Sequence, residues 1–148
     1  MARGKQTPYT TYSSFPLIVT EPGVRKGETR PGVVLNTDLA PTFAAWGRTS
    51  AASADGRSFA PLLGNPDAPW REAGLVDRRR LETIPHHARQ PRLRGRQDGG
   101  RELYDPGIDP HQLDNLTGTR PEEEANLCAR LQTLKVCVGN GCKSAEGP

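Results

Sequence analysis
Apolar residues are scarce in this 148-residue sequence, and the scarcity bounds what the chain can be. Leu, Ile, Val and Phe supply 27 residues, about 18% of the total, just under the ~20% associated with disorder. No apolar run approaches the ~18 residues of a membrane span, and no apolar stretch of a signal peptide follows Met1. As it stands the chain is expected to be soluble and cytoplasmic, with no membrane partner. Cysteine is also rare. Cys128, Cys137 and Cys142 include no C-x-x-C pair, and their odd number leaves at least one thiol unpaired. The net charge is only +3, so the chain does not self-repel as charged disordered tails do.

Glycine and proline, by contrast, make up 30 of the 148 residues, about 20% against an ordinary ~12%. Between their turns, the run Phe15-Pro16-Leu17-Ile18-Val19, closed by Pro22-Gly23, suits a buried strand over 15–20. Val33-Val34-Leu35 is a second short run. Asp38 as N-cap, Pro41 in the first turn and Gly47 as a stop predict a helix over 39–46, with Leu39, Phe43 and Trp46 on its apolar face. The breaker at 64–69 divides the chain. Residues 78–101 carry eight arginines against Glu82 and Asp98, without an aromatic or a usable period, and are expected to be loop or disorder. Order returns at 101–105. Thr119 and Glu122 fit a capping box, and Leu127, Leu131 and Leu134 form the apolar stripe of a final helix ending at Gly139.

Few residues carry chemistry. Lys5 follows a glycine on a turn before the expected strand, and most such lysines are simply solvated. His86 and His87 have no third ligand at a metal-like spacing. The arginines of 78–101 could meet a polyanion or nucleic acid, but they lack the aromatics that stack on single-stranded bases. Cys137 and Cys142 enclose a loop with two glycines, which makes a local disulfide sterically accessible, whereas a cytosolic pool would keep both thiols reduced. Asn115-Leu116-Thr117 is a glycosylation sequon that matters only on a secretory route.

Five blocks in order resemble the sulfatase family. They are Gly4-Lys5-Gln6-Thr7-Pro8-Tyr9 with the run at 15–24, and Asn36-Thr37-Asp38-Leu39-Ala40-Pro41-Thr42. Asp55-Gly56-Arg57-Ser58 with Leu62-Leu63 follows, then Arg101-Glu102-Leu103-Tyr104-Asp105 with Asp109-Pro110 and Asn115-Leu116. The last is Leu134-Lys135-Val136-Cys137 through Cys142, similar to the tail of the N-acetylglucosamine-6-sulfatase-like and arylsulfatase branch. The resemblance departs at Thr10, Thr11 and Ser14, which replace residues usual in the family.

That resemblance implies an alkaline-phosphatase-like fold, α/β passing to α+β, present only as its C-terminal part. Residues 1–66 would end the large α/β domain, and 67–148 would be a shortened C-terminal subdomain with a disordered basic segment at 78–100. It implies Lys5 as a sulfate-binding residue, a Cys137–Cys142 disulfide in exported relatives, and calcium in the full-length family. The family's C/S-x-P-x-R nucleophile motif has no match: no cysteine has Pro two residues on, and in Ser14-Phe15-Pro16-Leu17-Ile18 an isoleucine stands where arginine is required. The expectation is a sulfuric ester hydrolase remnant, inactive alone, that could pair with an upstream half. The alternative is a basic, partly disordered polyanion- or nucleic-acid-binding protein.

Overall fold
The computed structural model describes residues 15–78, 81–83, 91–96 and 99–147. Lys5, the Thr-Pro-Tyr corner, His86 and His87 lie outside them. The first described segment overturns an expectation, because residues 15–20 form no strand. Phe15 is 63% and Ile18 85% exposed. An apolar run becomes a strand only when another strand takes up its N–H and C=O groups, and the described strands all pair with one another within 76–104.

Helix α1, Leu39–Trp46, forms as predicted, after a 3-10 turn at Asn36–Asp38. Its buried face is not the predicted one. Thr42 is buried, whereas Phe43 and Trp46 are exposed. The Phe43 and Trp46 rings lie 5.7 Å apart, and Trp46 meets Phe59 edge-on at 6.1 Å. Nor does Asp38 cap α1, since its side chain bonds no helical N–H there. Asp38 and Thr42 stand one turn apart, and both turn inward to polar partners that an apolar count does not register. Helix α2, Ala60–Gly64, is a single turn that buries Leu62.

An antiparallel sheet follows in the order β1 (Val76–Arg78), β2 (Leu81–Thr83), β3 (Arg92–Arg96) and β4 (Arg101–Tyr104). Two strands, β2 and β3, therefore lie in the stretch expected to be disordered, and β1 ends at its first residue. The register explains why their period was hidden. Leu93 lies opposite Leu103 on one face, while Arg92 opposite Tyr104 and Arg94 opposite Glu102 lie on the other. Both faces are buried, one by leucine and one by arginine, with Arg92 5% and Arg94 3% exposed. Arg94 Nη1 donates to Glu102 Oε2 at 2.5 Å, and its guanidinium lies 5.3 Å from the Tyr104 ring.

Helix α3, Pro121–Val136, covers the leucine face. Leu127, Leu131 and Leu134 recur at helical spacing and pack with Leu93, Leu103 and Ala73 into the main core. Burying each leucine is worth about 1.5–3 kcal/mol. The start of α3 differs from the predicted capping box. Glu124, not Glu122, reaches back, accepting from the Gly118 N–H at 2.9 Å. Pro121 occupies the first turn, where a missing N–H costs nothing. The chain then passes Gly139, at φ +56°, into the short helix α4, Asn140–Ala145.

Candidate functional site
Four charged residues from distant parts of the chain converge beneath α1. Asp38 Oδ2 accepts from the Leu35 N–H at 2.7 Å, which closes the 3-10 turn. Asp38 Oδ1 accepts from the Arg57 N–H at 2.8 Å and from Arg71 Nη2 at 2.6 Å. Asp38 and Arg71 are both 0% exposed. Arg71 Nε also lies 3.3 Å from Glu146 Oε2, and Arg57 Nε lies 3.5 Å from the same oxygen. Thr42 extends the network, donating to the Asp38 carbonyl at 2.6 Å and accepting from the Phe59 N–H at 3.0 Å.

Local sequence makes this convergence feasible. A Cβ at Gly56 would stand 2.2 Å from the Thr37 carbonyl oxygen, so only glycine lets the 55–57 turn approach closely enough to aim the Arg57 N–H at Asp38. Trp70 anchors the next segment through Nε1–H to the Val33 carbonyl at 2.7 Å, and its ring lies 5.1 Å from the Arg71 guanidinium. Burial pushes the Glu146 carboxyl above its ordinary range, opposed by Arg71 and Arg57. It pushes Arg57 below its ordinary range, opposed chiefly by Glu146. Two acids against two arginines leave the cluster balanced. Closed to solvent at Asp38 and Arg71, it can organise the chain but cannot receive a substrate.

The open concavity lies elsewhere. A cavity of about 660 Å³ is walled by Phe15, Leu17, Ile18, Val34, Phe59 and Leu62, with Arg25, Lys26 and Arg30 also lining it. Arg30 is spent on Glu28 and on the Leu62 carbonyl, at 2.9 Å for the latter. Among the described residues no three His, Cys, Asp or Glu side chains converge as a metal site. They supply no donor set for the calcium that the resemblance implies. No described helix is long and apolar enough to cross a membrane.

No protein-family model matches the sequence. Among solved structures, the chain is similar to BT4656 in complex with its substrate D-glucosamine-2-N,6-O-disulfate, with 22% identity and a TM-score of 0.69 over 82% of this chain. It is also similar to the phosphonate monoester hydrolase of Agrobacterium radiobacter, with 20% identity and a TM-score of 0.53 over 66% of this chain. Both have alkaline-phosphatase-like sulfatase folds, and the chain spans 27% and 24% of their respective lengths. The fold is part of an alkaline-phosphatase-like sulfatase fold.

Within that partial fold, the blocks quoted for the resemblance fall on structural junctions. Asp38 and Thr42 come from one, Gly56 and Arg57 from the next, and β4 from a third. Asn115 joins the sheet to the following loop by accepting from the Leu103 N–H at 3.0 Å. Lys5 lies outside the described residues, and Cys137 is disulfide-bonded to Cys142 while Cys128 is free. Sequence reasoning missed Arg71 and Glu146. Neither carries a local signal, for each is a charged residue whose partners lie far away in the chain. The described arginines of the stretch read as a polyanion-binding arm include Arg92 and Arg94, whose burial withholds them from a polyanion.

Proposed function
We propose that this chain is the C-terminal part of a sulfatase, a sulfuric ester hydrolase of the N-acetylglucosamine-6-sulfatase-like and arylsulfatase kind acting on sulfated sugars. The observation that carries this reading is the likeness, over 82% of the chain, to a structure holding D-glucosamine-2-N,6-O-disulfate as its substrate. In this reading residues 1–66 end the large α/β domain and 67–148 form a shortened C-terminal subdomain. Lys5 holds a sulfate oxygen, because hydrolysis builds charge on those oxygens and a preorganised cation stabilises it. The nucleophile and the calcium ligands belong to the rest of such a fold, so the 148 residues alone turn over no sulfate ester.

A chimera tests this reading. The matching portion of BT4656 is replaced by this chain, and hydrolysis of D-glucosamine-2-N,6-O-disulfate is followed. The chimera should turn over, and Lys5→Ala in it should lower kcat by roughly 10²–10³. A folded chimera without turnover would overturn the family reading. An unchanged Lys5→Ala rate would remove the role of Lys5, and calcium-dependent turnover by the 148-residue chain alone would remove the predicted inactivity.

A further inference from the structure
The tail at 137–147 is held at both ends and fastened to two separate segments. At its start the Cys137–Cys142 disulfide ties the end of α3 to the first turn of α4. Beyond it, Arg57 Nη2 donates to the Lys143 carbonyl and, at 2.6 Å, to the Gly147 carbonyl. The Glu146 carbonyl accepts from the Glu72 and Ala73 N–H groups at 2.9 and 3.1 Å, while its carboxylate faces Arg71 and Arg57. The Gly139 N–H donates to Asp55 Oδ1 at 2.9 Å, and Ala145 packs against the main core. The tail thus fastens the 55–57 turn to the 71–73 segment, which leads into the sheet.

Helix α4 has only six residues, far below the ~12–15 at which an isolated helix becomes even marginal in water. It therefore depends on what restrains it, and its covalent restraint is the disulfide. Both cysteines are half-buried, Cys137 packing against the main core between exposed Val136 and Val138.

We propose that the Cys137–Cys142 disulfide is a redox-sensitive latch whose reduction by a dithiol releases residues 139–147 from Arg57 and Arg71. A thiolate of the dithiol attacks one cysteine sulfur, breaking the S–S bond and forming a mixed disulfide. Its second thiolate displaces that cysteine, leaving the dithiol oxidised to its own disulfide. Two electrons have then passed to the protein, and Cys137 and Cys142 each take a proton. Cys128 is a free thiol outside this bond. This inference stands independently of the sulfatase reading.

Hydrogen exchange on the full 148-residue chain, read by mass spectrometry during a dithiothreitol titration and after reoxidation, tests the latch. Reduction should raise exchange at least tenfold across 139–147, with a smaller rise at 55–57 and 72–73. Helix α3 and strands β3 and β4 should stay within twofold, and reoxidation should restore protection. A Cys137→Ser, Cys142→Ser double variant should reproduce the reduced pattern without reductant, and the wild-type titration decides alone if that variant does not fold. Unchanged exchange across 139–147, or an equal rise in every segment, would overturn the proposal.

Discussion
Residues 15–20 and the cluster around Asp38 invert the usual relation between residue type and burial. The apolar run faces outward with Ile18 85% exposed, while Asp38 and Arg71 are sealed from solvent. The difference lies in partners. Asp38 has two backbone N–H groups and a guanidinium within 2.8 Å, so its desolvation is offset by charge-assisted bonds. The run at 15–20 joins no sheet among the described residues, and apolar character alone does not supply a neighbouring strand.

The contrast breaks most severely at the buried pair. Arg71→Ala, or Asp38→Ala, strands a charge in a closed site and should cost about 3–5 kcal/mol. At about 2–4 °C per kcal/mol for a chain of this size, the midpoint should drop on the order of 10 °C in calorimetry. The Asp38→Leu, Arg71→Met double variant should recover little of that loss, since it takes Asp38 away from the Leu35 and Arg57 N–H groups and Arg71 away from the Glu146 carboxylate. A loss below about 1 kcal/mol for either alanine variant would show the pair to be dispensable.

At the exposed run the same kind of change should matter far less. Leu17→Ser with Ile18→Ser should leave stability within about 0.5 kcal/mol, as surface substitutions do. It should nonetheless reduce binding of an apolar dye and self-association in light scattering, because it removes an exposed apolar patch. A large drop in the unfolding midpoint would mean that these side chains are covered in solution.

These two regions also mark how far the sequence could be read. Helix 39–46 was legible from Pro41 in its first turn and Gly47 as its stop, and the stripe Leu127, Leu131 and Leu134 from its 3.6-residue period, all of them local signals. The blocks of the resemblance pointed to the fold, and Gly56, Arg57 and Asp38 within them meet at a close junction. The cluster itself was not legible: Arg71 and Asp38 are 33 residues apart, and Arg57 and Gly147 are 90. Strand β3 was hidden because Arg92 and Arg94 occupy positions where a half-buried strand would show solvent-facing polar residues, yet lie on a buried face. The run at 15–20 was misjudged because a pattern says what suits burial, not whether a neighbour supplies it.

The smallest expected effect belongs to an exposed charge whose partners are all local. Asp109 Oδ2 accepts from the Leu113 N–H at 2.6 Å and the Asp114 N–H at 2.9 Å. These backbone bonds, that of Asp114 foremost, hold its carboxyl below the ordinary aspartate range. With the folded value depressed, its contribution is present above the unfolded value and is lost as pH falls through the folded one. Amide exchange at Leu113 and Asp114, corrected for its intrinsic pH dependence, should therefore lose protection below the ordinary aspartate range. Asp109→Asn should flatten that profile while leaving the global unfolding midpoint within about 0.5 kcal/mol of wild type. If the profile survived the substitution, the turn would owe its order to the backbone bonds from Ile108 and Asp109 to the Asp105 carbonyl instead.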